Sequence, residues 1–160
     1  LPTESVDVLP TICDFMGTGT PLQADGWSLE GFLHGKPAPE HWRTAAHFEW
    51  DFSDPEHGRA ERYFGIPMAH CSLAVSRGAD RKYVQFASST DVLAPLLFDL
   101  NADPQQMTNL AASKSPDMAE SAWQAAQELL QWRMRSSERT LSGHFLSPGK
   151  GLVTARDEWW

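Results

Sequence analysis

The sequence predicts an α+β fold, with a small antiparallel sheet of three to four strands packed against a long C-terminal helix. Three observations carry this. Thr44 to Phe52 alternates, with His47, Glu49 and Asp51 on one side and Phe48, Trp50 and Phe52 on the other. Two apolar stretches, Met68 to Ser76 and Lys82 to Ala87, flank the turn-like Arg77-Gly78-Ala79-Asp80-Arg81. A helical apolar stripe then runs from Ser115 to about Arg135. Period-2 alternation marks a half-buried strand, and apolar residues three and four apart mark an amphipathic helix. A chain of 160 residues buries roughly two-thirds of its unfolded surface and needs no disulfide staple.

The elements follow in order. Ser5 to Met16 reads as a short helix, with Val6, Leu9, Ile12, Cys13 and Met16 at helical spacing and Gly17 as its stop. Pro10 sits near its front, where proline is tolerated best. Ser28 caps a second short helix, Leu29 to His34. Thr44 to Phe52 is the first strand, its aromatic side predicted to face the core. Ser53 to Gly65 reads as a polar loop. The hairpin supplies two strands and the apolar Leu96 to Leu100 a fourth. Asp103-Pro104-Gln105-Gln106 reads as the start of a brief helix to about Ala112. The long helix has a predicted buried stripe of Met118, Ala119, Ala122, Trp123, Ala126, Leu129, Leu130 and Met134. Beyond Ser136 the pattern dissolves among Gly143, Pro148, Gly149 and Gly151 and ends in Trp159-Trp160.

Charge narrows the function classes. Thirteen basic against 21 acidic residues gives a net charge of −8. That argues against nucleic acid and against an anionic membrane surface. No apolar run is long enough to span a bilayer. Residues 1–58 hold ten acids and two bases, while residues 59–160 hold eleven of each. The acidity therefore belongs to the first third. Cys13 and Cys71 form neither a disulfide framework nor a CxxC site and read as small buried apolar residues. Unpaired cysteines point to a cytoplasmic setting.

Little chemistry is visible from spacing alone. His47, Glu49 and Asp51 share one strand face, where an imidazole and two carboxylates could hold a divalent metal. The same residues also suit a solvated polar face, which is the blander reading. The remaining histidines are scattered, and GxSxG, P-loop and GxGxxG signatures are absent. Seven tryptophans are high for this length; Trp50 and Trp123 fall on predicted buried faces, whereas Trp159-Trp160 suits contact with another surface.

Four stretches resemble sulfatases. Leu97-Phe98-Asp99-Leu100, followed by Asp103-Pro104 and Asn109-Leu110, is similar to their Leu-Tyr/Phe-Asp-Leu…Asp-Pro…Asn-Leu element. Val6-Asp7-Val8-Leu9-Pro10-Thr11-Ile12-Cys13-Asp14 resembles their Val-Asp-Leu-hydrophobic-Pro-Thr-Ile-Leu-Asp helix. Asp25-Gly26-Trp27-Ser28-Leu29 resembles their Asp-Gly-x-Ser-Leu turn, and Arg81-Lys82-Tyr83-Val84 their Lys-Tyr strand. The order is right, and together they cover roughly residues 4–112. Trp132-Arg133-Met134-Arg135 and Arg139-Thr140-Leu141-Ser142-Gly143 look most like the phosphonate monoester hydrolase branch.

The resemblance implies the C-terminal subdomain of an alkaline-phosphatase-like fold. It implies hydrolysis of sulfate, phosphonate or phosphate esters by a formylglycine nucleophile beside a divalent metal (Ca, Mn or similar). Neither cysteine stands in the Cys-x-Pro/Ala-x-Arg motif that yields formylglycine, and the Asp-rich metal segments are missing. Nucleophile and metal are therefore expected in an absent N-terminal domain. No catalytic, cofactor or metal residue is assigned here, and the chain alone is expected to be inactive. The opening Leu1-Pro2, without an initiator Met, fits a fragment.

On this reading residues 1–135 form the subdomain, with 1–35 including helices that link to the catalytic domain, and 136–160 an extended tail. The expected partners are the chain's own N-terminal catalytic domain, further copies through the tail, and a small-molecule ester. His47, Glu49, Asp51 and His57 are the candidate pocket-rim residues, being polar and on or beside a loop. The alternative is a stand-alone, non-catalytic binding or oligomerisation module. An independent metal hydrolase using His47, Glu49 and Asp51 is a third reading.

Overall fold

The structure is a computed structural model that describes residues 1–21, 24–137, 144–147 and 151–154. The chain divides into two compact units. One comprises residues 3–43 and 132–160, with Leu1; the other comprises residues 44–131, with Pro2.

The second unit holds the sheet. Strands β1 (Ala45–Asp51), β2 (Ser72–Gly78), β3 (Arg81–Phe86) and β4 (Leu96–Asp99) lie in the order β1-β2-β3-β4, each antiparallel to the next. The α+β prediction with four strands stands. Register places Phe48, Val75, Val84 and Leu96 in one row across the sheet. The row beside it, on the opposite face, is His47, Ser76, Tyr83 and Leu97. Val75, Val84, Tyr83 and Leu97 are all buried, so both faces are covered around β3.

The long helix forms as α4 (Pro116–Ser137). Arg81, on the Tyr83 face, pairs with Glu128 and so ties α4 to β3. Ala125 and Leu129 are the buried positions of α4. The predicted stripe is corrected at four places, because Ala119, Trp123, Leu130 and Met134 are exposed. The apolar band is wider than the surface the helix has to cover, and the small Ala125 takes the innermost position.

The first strand needs a larger correction. Its alternation is as predicted, but Phe48 and Trp50 are 50% and 60% exposed. Periodicity reads which side a residue faces; it does not read how far from the sheet centre its strand lies. β1 is an edge strand, outside the covered centre.

Two connections also differ from expectation. Within the predicted polar loop a short helix, α3 (Arg59–Phe64), forms between Gly58 and Gly65, both left-handed. The N-cap position is Gly58, which has no side chain, and Arg59 N is met instead by Asp54 Oδ2 at 3.2 Å from five residues upstream, so the usual start signal is missing from the sequence. The predicted helix after Asp103 is not formed. Asp103 Oδ2 instead accepts from Thr108 N at 2.8 Å, and Gln106 takes a positive φ of 57°. Only a 3-10 turn, Leu110–Ala112, remains. Asn109 does tie this loop back: its Oδ1 accepts from Leu97 N at 2.9 Å and Ala111 N at 3.0 Å, and its Nδ2 donates to Pro95 O at 3.1 Å.

In the first unit, a 3-10 turn at Ser5–Asp7 runs into α1 (Val8–Phe15), and α2 (Glu30–Leu33) follows. Near the C-terminus β5 (His144–Ser147) pairs antiparallel with β6 (Gly151–Thr154). The Arg139-to-Gly143 motif and Trp159-Trp160 lie outside the described residues.

Candidate functional site

Among the described residues of the first unit, Asp7 carries a dense set of polar contacts, and its side chain is 0% exposed. Its Oδ2 accepts from Glu4 N at 2.8 Å, which closes a capping box at the head of the 3-10 turn. Its Oδ1 accepts from Trp27 N at 2.9 Å. Arg43 then grips both oxygens, Nη1 to Oδ2 and Nη2 to Oδ1 at 2.8 Å. A bidentate guanidinium is the geometry that best repays burying a carboxylate. Burial pushes the Asp7 pKa up, but Arg43 and the two backbone N–H donors outweigh it and hold the carboxyl below its ordinary value.

One turn further on, Thr11 Oγ1 donates to Asp7 O at 2.6 Å and accepts from Leu29 N at 2.8 Å. Just before these two ties, Gly26 passes so close to the Ser5–Asp7 3-10 turn that a Cβ there would sit 2.0 Å from Val6 O. Asp7, Thr11 and Gly26 thus explain physically why the Val-Asp…Pro-Thr helix and the Asp-Gly-x-Ser-Leu turn occur together. Sequence reasoning missed Arg43. A lone arginine 36 residues from its partner carries no periodic signal.

The Arg43 guanidinium lies 5.0 Å from the Trp27 ring centroid and 5.4 Å from that of Trp42. Trp42 also packs edge-on against Trp27 and Phe32. Beside them is a cavity of about 380 Å³ lined by Pro10, Thr20, Trp27, Ser28, Pro39, His41 and Trp42. The lining is mostly apolar, with a few polar groups at its edge.

The four rim candidates fall into two groups. His47, Glu49 and Asp51 do share one face of β1, opposite Ser76, Ala74 and Ser72 of β2. His47 Nε2 lies 3.2 Å from Ser76 Oγ. Asp51 Oδ1 accepts from Ser53 N at 2.8 Å, and the Ser53 contacts lower its pKa. His57 belongs to the turn before α3, with Nδ1 3.6 Å from Asp54 Oδ1 and Nε2 3.7 Å from Glu56 Oε1. Asp54 is bound in turn by Arg59 Nε at 2.7 Å, and that contact lowers its pKa. Among the described residues no three His, Cys, Asp or Glu side chains stand so as to hold a metal. The implied metal thus has no fitting donor set in the described part of this chain. Cys13 and Cys71 are both buried and free; burial, then Glu61 and Asp51, push the Cys71 thiol up, away from a reactive thiolate.

No protein-family model matches the chain. It is 41% identical over 153 residues to the multifunctional alkaline phosphatase superfamily protein PehA of Trinickia caryophylli, covering 95% of this chain and 28% of that protein. By sequence and by fold, the chain belongs with the sulfatases of the alkaline phosphatase superfamily. The crystal structure of the phosphonate monoester hydrolase of Agrobacterium radiobacter superposes with a TM-score of 0.75 at 41% identity, over 95% of this chain and 29% of that one. An N-acetylglucosamine-6-O-sulfatase of Bacteroides thetaiotaomicron is 31% identical over 107 residues, 66% of this chain and 17% of that protein. This sulfatase-family chain therefore spans under a third of the length of the relatives it matches. No described helix is long and apolar enough to cross a membrane.

Proposed function

We propose that the chain is the C-terminal, non-catalytic part of an enzyme that hydrolyses sulfate, phosphonate or phosphate esters. The observation that carries this is the 41% identity along 95% of the chain to a protein of which it covers only 28%. The formylglycine and the divalent metal belong, on this reading, to the preceding catalytic domain. That domain is also the partner for α1, whose Val8, Ile12 and Phe15 are exposed although Pro10 and Cys13 on the same helix are buried. An unpaired apolar helix face of this kind marks an interface.

Within that enzyme, the end of β1 and the turn after it form part of the pocket rim, through Asp51 and His57. His47 and Glu49, on the same face of β1 as Asp51, belong to the same proposed rim. Residues 136–160 add contacts between copies. Deleting them should reduce the oligomer size of the native protein; an unchanged size removes that role.

The test compares the full-length native protein with the 160-residue chain on aryl sulfate, phosphonate monoester and phosphate ester substrates. The full-length protein should turn over at least one class and the chain alone none. Turnover by the isolated chain overturns the assignment. His57→Ala in the full-length protein should lower kcat/KM for the preferred substrate, and an unchanged value for every substrate removes the rim role.

A further inference from the structure

Helix α4 is tied to β3 along one side, where Ala125 and Leu129 are buried and Glu128 pairs with Arg81. Directly after each of those buried residues comes an apolar residue that is more open. Ala126 is half-buried and Leu130 is 58% exposed. Trp123, 65% exposed, and the exposed Ala119 continue the row. One residue turns a helix by about 100°, so this row lies well round from the tied side.

Ala119, Trp123, Ala126 and Leu130 are four, three and four residues apart. That is the spacing of a helix–helix seam. A solvated helix face carries charged and polar residues instead, and a contiguous apolar row left in the open marks a contact surface. The row reads small, large, small, large from its N-terminal end. Charge is ordered along the same helix, with Asp117 in the first turn and Arg135 in the last. Size and charge together say what the seam takes.

We propose that α4 pairs antiparallel with α4 of a second copy, about a two-fold axis level with the Gln124–Ala125 peptide bond. In that register Ala119 meets the second copy's Leu130 and Trp123 meets the second copy's Ala126, small against large in every layer, and the symmetry repeats both contacts. On the flank, Glu120 falls beside the second copy's Gln127, so no like charges oppose there. Each acidic first turn points toward the second copy's last turn with its Arg135, and the two helix dipoles oppose each other. A parallel seam would set Trp123 against Trp123 and Ala126 against Ala126. One layer would then be overpacked and the other hollow, and the two acidic first turns would stand side by side. The helix is thus complementary to itself in size and charge only when antiparallel, the condition for an isologous contact. The proposal stands independently of the hydrolase reading and of the tail.

The experiment is cysteine cross-linking in the full-length native protein, with the unsubstituted protein as background. Ala119→Cys combined with Leu130→Cys should yield a disulfide-linked dimer under mild oxidation, because each cysteine meets the other one of the second copy. Either substitution alone should yield none, because its two copies then lie about 16 Å apart along the seam. The same separation bars a bridge within one helix. In parallel, Trp123→Glu, at a position mostly open to solvent, should leave the far-ultraviolet circular dichroism unchanged and lower the mass read by sedimentation. No cross-link in the double variant, or a mass indifferent to Trp123→Glu, overturns the proposal and means that a segment of the longer chain or another protein covers the seam. Cross-linking by a single variant as strong as by the double means a parallel seam and overturns it too. If Trp123→Glu fails to fold, the cysteine variants decide alone.

Discussion

Arg43 donates two hydrogen bonds to the fully buried carboxylate of Asp7, 36 residues before it in the chain. The same carboxylate caps the turn that starts α1 and holds the Trp27 backbone. One side chain thus joins the first helix, the Asp-Gly-x-Ser-Leu turn and the approach to β1. Removing either partner strands the other, the case in which a buried pair costs most. Arg43→Met should therefore destabilise the protein by about 3 kcal/mol, read as a shift of the urea midpoint. A shift under a tenth of that would contradict the hub role.

The same pair sets a pH dependence. Asp7 is held below its ordinary carboxylate value. Its charged form stabilises the fold fully above the unfolded pKa of about 3.9, and the contribution is lost as pH falls through the lower native value. The stability difference between wild type and Asp7→Asn should be flat from neutral pH down to about pH 5 and shrink below about pH 4. A difference that stays constant down to pH 2 assigns the acid response to other carboxylates.

Gly26 is required for space. A Cβ would meet the Val6 carbonyl oxygen at 2.0 Å, and that atom is backbone. Gly26→Ala should cost on the order of 3 kcal/mol. Gly19→Ala, where nothing lies within 4 Å, should change stability little. Equal thermal midpoints for the two variants would remove the packing argument.

Asn109 uses both ends of its amide, accepting from Leu97 N and Ala111 N and donating to Pro95 O. Asn109→Ala leaves the β4 end without these partners and should cost about 2 kcal/mol. Asn109→Asp keeps the acceptor and loses the donor, so it should fall between. Hydrogen exchange at Leu97 N reports the bond directly and should accelerate in Asn109→Ala but not in Asn109→Asp.

The sheet and the long helix were legible because their patterns are local. Alternation in 45–51 and the turn between β2 and β3 need no knowledge of the rest of the fold. The outward position of Phe48 and Trp50 was not legible, because strand order is a tertiary fact. The absent helix after Asp103 has a similar cause. Asp103 satisfies loop N–H groups in the manner of a helix cap, and only the positive φ of Gln106 shows that no helix follows. At the candidate site, Val6, Asp7 and Gly26 were visible as motif residues, but Arg43 and the close approach of Gly26 to Val6 were not. The rim candidates on β1 share the face that alternation gives them, while His57 is held in a separate turn by Asp54 and Glu56.

The central claim is that this chain works as a non-catalytic part of a longer ester hydrolase. The intact mass of the native polypeptide tests it most directly. The account predicts a mass near that of the full-length relatives, of which this chain covers 28% and 29%. A native polypeptide with the mass of the 160 residues alone would contradict it.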